Sequence, residues 1–253
     1  MRRKARERSG LFVAEGIRTV EELLASSLVI VGAVASEVLD RTPRGRALAA
    51  ALDARGVDVL RVDERDFHSA SDTENPQGVL AMAEQPVYKL AAAVDAGAEA
   101  VRLLVLDGIQ DPGNVGALLR TAAALGVTAT VALPGTVDVW NAKVVRSAVG
   151  MQFHHPTPSS TKDELLPFLR ERGIVLWGAD ARGELVDTVT SPPRLALAVG
   201  NEGAGLGDAL RGSCERLVAL PMAPGAESLN VAVAAGIMLF EFRPRPAVAA
   251  PAP

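Results

Sequence analysis

The chain of 253 residues has one cysteine, Cys214. That excludes an intramolecular disulfide and a cysteine-built zinc site, and it fits a cytoplasmic protein in a reducing compartment. Aromatic residues make up only 4% of the chain, so the core must pack from Ala, Val and Leu. Long apolar runs are also missing. The stretch Val231 to Phe240 falls well short of the roughly 20 residues that span a bilayer. The basic start is followed by only a brief apolar run, Leu11 to Ala14, which is not a secretory signal. No membrane role is expected. A G-x-S-x-G elbow is absent, so a serine hydrolase is unsupported. The G-x-x-x-x-G-K-[ST] loop of ATPases is absent too. Histidine is scarce: His68 stands alone, and His154 and His155 are adjacent. On a strand those two would point to opposite faces, so no metal site is expected.

What is present is a strongly apolar chain, 49% hydrophobic, with a net charge of −4. Such a charge disfavours a general polyanion binder. The distribution is uneven, however. Residues 1 to 8 hold five basic side chains and one acid, a net +4, which leaves −8 for the remainder. Any RNA must therefore meet local basic clusters. The candidates are Arg2, Arg3, Lys4, Arg6 and Arg8; the alternative is a solvated terminus with no partner.

Strand and helix signals alternate throughout. In the first 88 residues strands are expected at Leu11–Ala14, Ser27–Val34, Val57–Val62 and Val79–Ala83. Helices are expected at Ile17–Ala25, with Ile17, Val20, Leu23 and Leu24 on one face, and at Pro43–Arg55, with proline in the first turn. Residues 89–100 form an Ala-rich linker. A second α/β series follows over residues 101–243. Its strands are Val101–Leu106, Thr128–Leu133, Ile174–Trp177, Leu195–Val199 and Leu217–Leu220, and a last helix covers Ser228–Phe242. Nearly continuous apolar strands separated by helices imply a parallel sheet covered on both faces. The Pro/Ala-rich tail, 244–253, has the composition of a disordered segment.

Three segments place polar residues at strand-to-helix junctions. In the first, Asp111-Pro-Gly-Asn114 follows a strand, and Arg120 lies six residues on in an otherwise apolar helix. Asn114 could be turn and cap chemistry alone, and Arg120 a solvated helix face. Arginine is seldom buried without a partner, and its planar fork suits a phosphate or carboxylate. The second segment is Gly200-Asn-Glu-Gly-Ala-Gly205. It is not the G-x-G-x-x-G of a dinucleotide site. Such a loop would follow the first strand of its domain, and here only about 50 residues remain. That disfavours a dehydrogenase and a Rossmann-type methyltransferase. Turn chemistry explains the glycines but not Glu202. In the third, Ser228 and Asn230 open a helix of small residues, Val231-Ala-Val-Ala-Ala-Gly236, and either could be a simple cap.

In this order and spacing the three segments resemble the SpoU (TrmH-type) branch of the SPOUT RNA methyltransferases, over residues 101–243. Residues 1–88 resemble the small RNA substrate-binding domain that often precedes it, through Arg6-Glu-Arg-Ser-Gly-Leu-Phe-Val-Ala-Glu-Gly16 and Asn75-Pro-Gln-Gly-Val79. The resemblance implies a small N-terminal α/β domain, then a parallel-sheet α/β SPOUT domain with a C-terminal trefoil knot. Knots are rare exceptions to ordinary topology. It implies S-adenosylmethionine as cofactor, held by Gly200, Leu220 and Leu229, and a homodimer. It implies methylation of a ribose 2′-hydroxyl, with Asn114, Arg120, Glu202, Ser228 and Asn230 as the catalytic set.

Members of the family have been assigned an arginine base. A guanidinium stays protonated below a pH of about 12, so Arg120 is expected instead to bind an adjacent phosphate and stabilise the forming alkoxide. Asn114, Ser228 and Asn230 would fix the ribose, and Glu202 would orient Arg120 or Asn114. Ribosomal RNA, 23S in particular, is the preferred substrate because two domains are typical of that branch. The alternatives are transfer RNA 2′-O-methylation and a non-catalytic RNA-binding or ribosome-assembly protein of the same fold.

Overall fold

The structure is a computed structural model that describes residues 3–95, 97–225 and 228–243. Its elements run α1 (Arg3–Ser9), β1 (Leu11–Glu15), α2 (Ile17–Ala25), β2 (Ile30–Ala35), α3 (Pro43–Ala54), β3 (Val59–Arg61), α4 (Glu64–Ala70) and β4 (Val79–Glu84). They continue with α5 (Leu90–Ala93), β5 (Val101–Asp107), α6 (Pro112–Ala124), β6 (Ala129–Ala132), α7 (Ala142–Ala148) and α8 (Lys162–Glu171). The last are β7 (Val175–Leu185), β8 (Arg194–Gly200), α9 (Asp208–Arg211), β9 (Arg216–Ala219) and α10 (Val231–Glu241). Two compact units result. The first takes Met1–Tyr88, Gln110–Ala123 and Val137–Thr157; the second takes Lys89–Ile109, Ala124–Thr136 and Pro158–Pro253.

The first unit holds a four-stranded sheet in the order β1-β4-β2-β3, with β4 antiparallel to both neighbours and β3 parallel to β2. Phe12 and Ala14 are buried while Leu11 and Val13 are partly exposed, the period-two pattern of a strand with one face in the core. Three of the scarce aromatics meet here. The Phe12 ring packs against Trp140 at 4.6 Å and Phe153 at 5.4 Å between centroids. The expected helix at Pro43 forms, with Thr42 Oγ1 accepting from Gly45 N at 3.0 Å. The basic start is also helical (α1).

The second unit holds five parallel strands in the order β6-β5-β8-β7-β9. All seven residues of β5 and five of the seven in β8 are buried, as a parallel sheet with both faces covered requires. Leu103, Val105, Val131, Ala196 and Ala198 form one core with Leu165 and Leu169 of α8. Helix α8 starts on a capping box of Thr161 and Glu164, and α10 packs on β8.

Three boundaries differ from expectation. Strand β7 runs on to Leu185, pairing with β9 across a register shift between Ala179 and Glu184. The 89–100 segment contains α5 and buries Val94 in the second unit's core. Helix α10 begins at Val231, not Ser228, because Asn230 is its non-helical N-cap. The tail 244–253 lies outside the described residues. Among the described residues no helix is long and apolar enough to cross a membrane.

Candidate active site

Strands β5 and β8 are neighbours, and Asp107 pairs in register with Gly200. Their following loops therefore leave the sheet at the same carboxyl end, where open α/β sheets bind ligands. The loop after β8 closes on itself: Asn201 N donates to Gly205 O at 3.0 Å, and Gly205 N returns to Asn201 O at 2.8 Å. This closure fixes Gly200. A Cβ there would lie 2.2 Å from the backbone of Gly205 and 2.3 Å from Leu206 N, so no side chain fits unless the loop moves.

Short polar side chains then pin the loop to the turn after β5. Asn201 Oδ1 accepts from Gly203 N and Ala204 N at 3.0 and 3.1 Å, while its Nδ2 donates to Gly108 O at 3.1 Å. Buried Asp107 accepts from Gly207 N at 2.8 Å and lies 3.2 Å from Lys162 Nζ. Thr136 Oγ1 donates to Leu106 O and accepts from Gly108 N, at 3.0 and 3.2 Å. Sequence reasoning missed Asn201, Asp107, Thr136 and Lys162. Only Asn201, inside the glycine loop, left a readable signal. Glu202 is exposed on that loop, and the side chain that shapes the loop is its neighbour Asn201.

The approach to α10 supplies the remaining second-unit residues. Asn230 Oδ1 accepts from Ala232 N and Val233 N at 2.9 and 3.3 Å, so the capping role weighed for this residue is real. Ser228 does not cap. It is exposed, as is Leu229, and Leu220 is half-buried.

Asn114 and Arg120 belong to the first unit, on α6. The helix is capped by Asp111, whose carboxylate accepts from Asn114 N at 2.8 Å. Capping therefore makes no demand on the Asn114 side chain, which is half-buried. Arg120 is exposed, among buried Val115, Leu118, Leu119 and Ala122. Helix α7 comes close at Gly116, where a Cβ would lie 2.3 Å from Ser147 Cβ and 2.8 Å from Val144 O.

Of the basic arm, Arg2 and the Arg3 side chain lie outside the described residues, and Lys4 and Arg8 are exposed. Arg6 corrects the expectation. It is 4% exposed, and its Nε and Nη2 donate to Asp138 Oδ2 at 2.9 and 2.5 Å. A fork engaged inside the protein is not offered to phosphate. The histidine pair lies at a 3-10 turn, Met151–His154, and its C-cap. Burial pushes the His155 imidazole down to about 4, while His154 is exposed beside Glu22. Burial raises the Cys214 thiol to about 11, which rules it out as a nucleophile at neutral pH. Among the described residues no group of His, Cys, Asp and Glu is placed to hold a metal.

The second unit is thus an α/β domain with a pinned glycine loop at the carboxyl end of its parallel sheet. The family follows from comparison with known proteins. Residues 102–240 match the SpoU rRNA Methylase family, and residues 1–81 match the MRM3-like substrate binding domain. The chain belongs to the SpoU rRNA methylase family. It is 34% identical over 242 residues to the 23S rRNA (guanosine(2553)-2′-O)-methyltransferase RlmP of Bacillus subtilis, covering 95% of this chain and 92% of that one. It is 32% identical over 204 residues to the 23S rRNA (adenosine(1067)-2′-O)-methyltransferase of Streptomyces laurentii, covering 79% and 75%. The crystal structure of the SpoU methyltransferase AviRb from Streptomyces viridochromogenes, in complex with AdoMet, superposes with a TM-score of 0.83. That match has 28% identity and covers 95% of this chain and 92% of the other.

Proposed function

We propose that the protein is an S-adenosylmethionine-dependent methyltransferase acting on a ribose 2′-hydroxyl of 23S ribosomal RNA in the cytoplasm. The observation that carries the reading is full-length likeness to such enzymes combined with a glycine loop held rigid at the carboxyl end of the sheet. The residues fit the cofactor. Gly200 and its loop offer backbone groups, and Leu220 and Leu229 offer apolar surface suited to an adenine ring.

S-adenosylmethionine supplies, when bound, a methyl group already activated by its sulfonium. The chain's own task is to hold the ribose oxygen in line, within about 3 to 3.5 Å of the reacting carbon. Arg120 binds the neighbouring phosphate and stabilises negative charge growing on the 2′-oxygen; it remains protonated throughout, and the hydroxyl proton passes to solvent water. Asn114, Ser228 and Asn230 fix the ribose, and Glu202 is a positioning group. The side-chain oxygen of Asn230 also caps α10.

The finer architecture belongs to the same reading. A substrate-binding domain covers residues 1–88, a linker 89–100 and the SPOUT domain 101–243, with a trefoil knot at its C-terminal end. Lys4 and Arg8, with Arg2 and Arg3, contact RNA phosphates. A homodimer forms through α10, where Val233, Ile237 and Phe240 are each about half exposed, at 51, 46 and 52%. Their spacing sets them on one helix face, an apolar stripe of the kind that marks an interface.

Incubation with methyl-labelled S-adenosylmethionine and unmodified ribosomal RNA tests the proposal. Label should enter one 23S nucleotide, and replacing that nucleotide's ribose by deoxyribose should abolish it. Label in transfer RNA would move the substrate. No label, together with no calorimetric binding of S-adenosylmethionine, would leave a non-catalytic RNA-binding protein.

A further inference from the structure

Strand β5 has a polar residue near each end. Asp107 serves the glycine loop. At the other end Arg102 is 7% exposed, and the mechanism above does not use it. Its Nε donates to Phe242 O at 2.5 Å, and its Nη1 donates to Val101 O at 3.0 Å and Pro193 O at 2.6 Å. Its Nη2 donates to Ser191 Oγ at 3.3 Å. Among the described residues none of its hydrogen-bond partners is a carboxylate. Burial shifts its pKa downward. A cation removed from water with only neutral partners is costly, so its retention calls for a reason.

The partners supply one. Phe242 is the C-cap of α10; its carbonyl lies at the negative end of the helix dipole and lacks an intrahelical partner. Pro193 and Ser191 lie on the segment that enters β8. One guanidinium thus joins the start of β5, the entry to β8 and the last turn of α10. The Phe242 ring, 2% exposed, packs edge-on against Trp177 at 5.3 Å. Beside this junction is a cavity of about 500 Å³, lined by Arg102, Asp187, Thr190, Ser191, Glu241 and Phe242 among others. Eleven helical residues make a rod about 16 Å long, and its opposite end is Asn230, preceded by Ser228 and Leu229.

We propose that Arg102 is a positioning residue for methyl transfer: by clamping the C-terminal end of α10 to β5 and β8, it fixes where the helix's first turn presents Ser228, Leu229 and Asn230. The proposal rests on the methyltransferase reading for its functional consequence, but the clamp can be read without it.

The test compares the full-length protein with Arg102→Lys, Arg102→Met and Arg102→Ala, by amide hydrogen exchange and by S-adenosylmethionine calorimetry. In Arg102→Met, exchange in α10 should speed up at least tenfold while β5 and β8 stay protected, and the cofactor should bind 5- to 20-fold more weakly. KM for the cofactor should rise and KM for RNA should not. Arg102→Lys keeps the charge without the fork and should lie between; it is also the variant to rely on if Arg102→Met does not fold. In Arg102→Ala, methylguanidinium entering from the cavity should restore protection of α10. Unchanged protection of α10 overturns the clamp. Uniform loosening of all elements with unaltered cofactor affinity overturns the positioning role. If the unaltered protein binds no S-adenosylmethionine, the functional reading fails, and exchange in α10 still decides the clamp.

Discussion

The two units treat buried polarity differently. Among the described residues, eight polar or charged side chains are buried in the first unit, Arg6, Glu15, Thr19, Ser26, Ser36, Gln152, His155 and Thr157. In the second there are three, Arg102, Asp107 and Thr130. The first unit uses them as internal ties. Arg6 pairs with Asp138, and Glu15 accepts from Ser71, Thr73 and Arg146. Gln152 Nε2 donates to Val139 O. A small sheet with short strands leaves long segments that need such anchoring. The central strands of the second unit are apolar between their ends, and two of its three buried polar residues, Arg102 and Asp107, lie near opposite ends of β5. A sheet that is apolar between its ends keeps its buried polar groups where the strands enter and leave it. An interior laced with ion pairs and a buried histidine answers instead to pH.

The largest effect is expected where the second unit tolerates nothing. Gly200→Ala should weaken S-adenosylmethionine binding at least 100-fold, because its methyl would lie 2.2 Å from backbone atoms. The loss should stay local. Trp140 lies in the first unit and Trp177 in the second, so single-tryptophan variants report each unit's unfolding separately. Equal loss of stability at both reporters would erase the contrast drawn between the units.

A smaller effect should follow acidification. His155 has its pKa lowered by burial from 6.5 to about 4. The unfolded chain therefore binds more protons in that window. The contribution is complete above pH 6.5 and is lost as pH falls towards 4. Its ceiling is about 3 to 4 kcal/mol, at ~1.4 kcal/mol per pH unit. Denaturant midpoints followed through Trp140 should fall between pH 7 and 4, further than those followed through Trp177. His155→Gln should flatten the Trp140 slope. A slope that survives the substitution would assign the acid sensitivity to other groups.

Much of the framework was legible because apolar periodicity carries it. The runs at Val101, Leu195 and Leu217 became strands, and Ile17–Ala25 formed as spaced. The second half of β7, Ala179–Leu185, was not legible. Its Ala, Asp, Gly and Glu residues have poor strand propensity, and pairing with β9 overrides that preference. The site was legible at the level of segments more than of side chains. Gly200 stood out as sequence and proved sterically obligatory. Glu202 drew attention for its oddness, yet Asn201 holds the loop. Asp107, Thr136 and Lys162 are far apart in the chain, and only the fold shows that Thr136 holds the turn after β5 while Lys162 pairs with Asp107, which holds the loop after β8. Arg6 looked like part of a basic arm until Asp138, 132 residues away, claimed it.

In the proposed division of labour, backbone loops of the second unit would hold the cofactor and Arg120 on α6 would act on the reaction. Single-turnover methylation and S-adenosylmethionine affinity, measured together on Arg120→Ala, test it directly. The rate should fall by about 10²–10³ while affinity changes less than about threefold, an energetic difference under ~0.7 kcal/mol. A parallel loss of both would show Arg120 to be part of the cofactor site and would contradict the account.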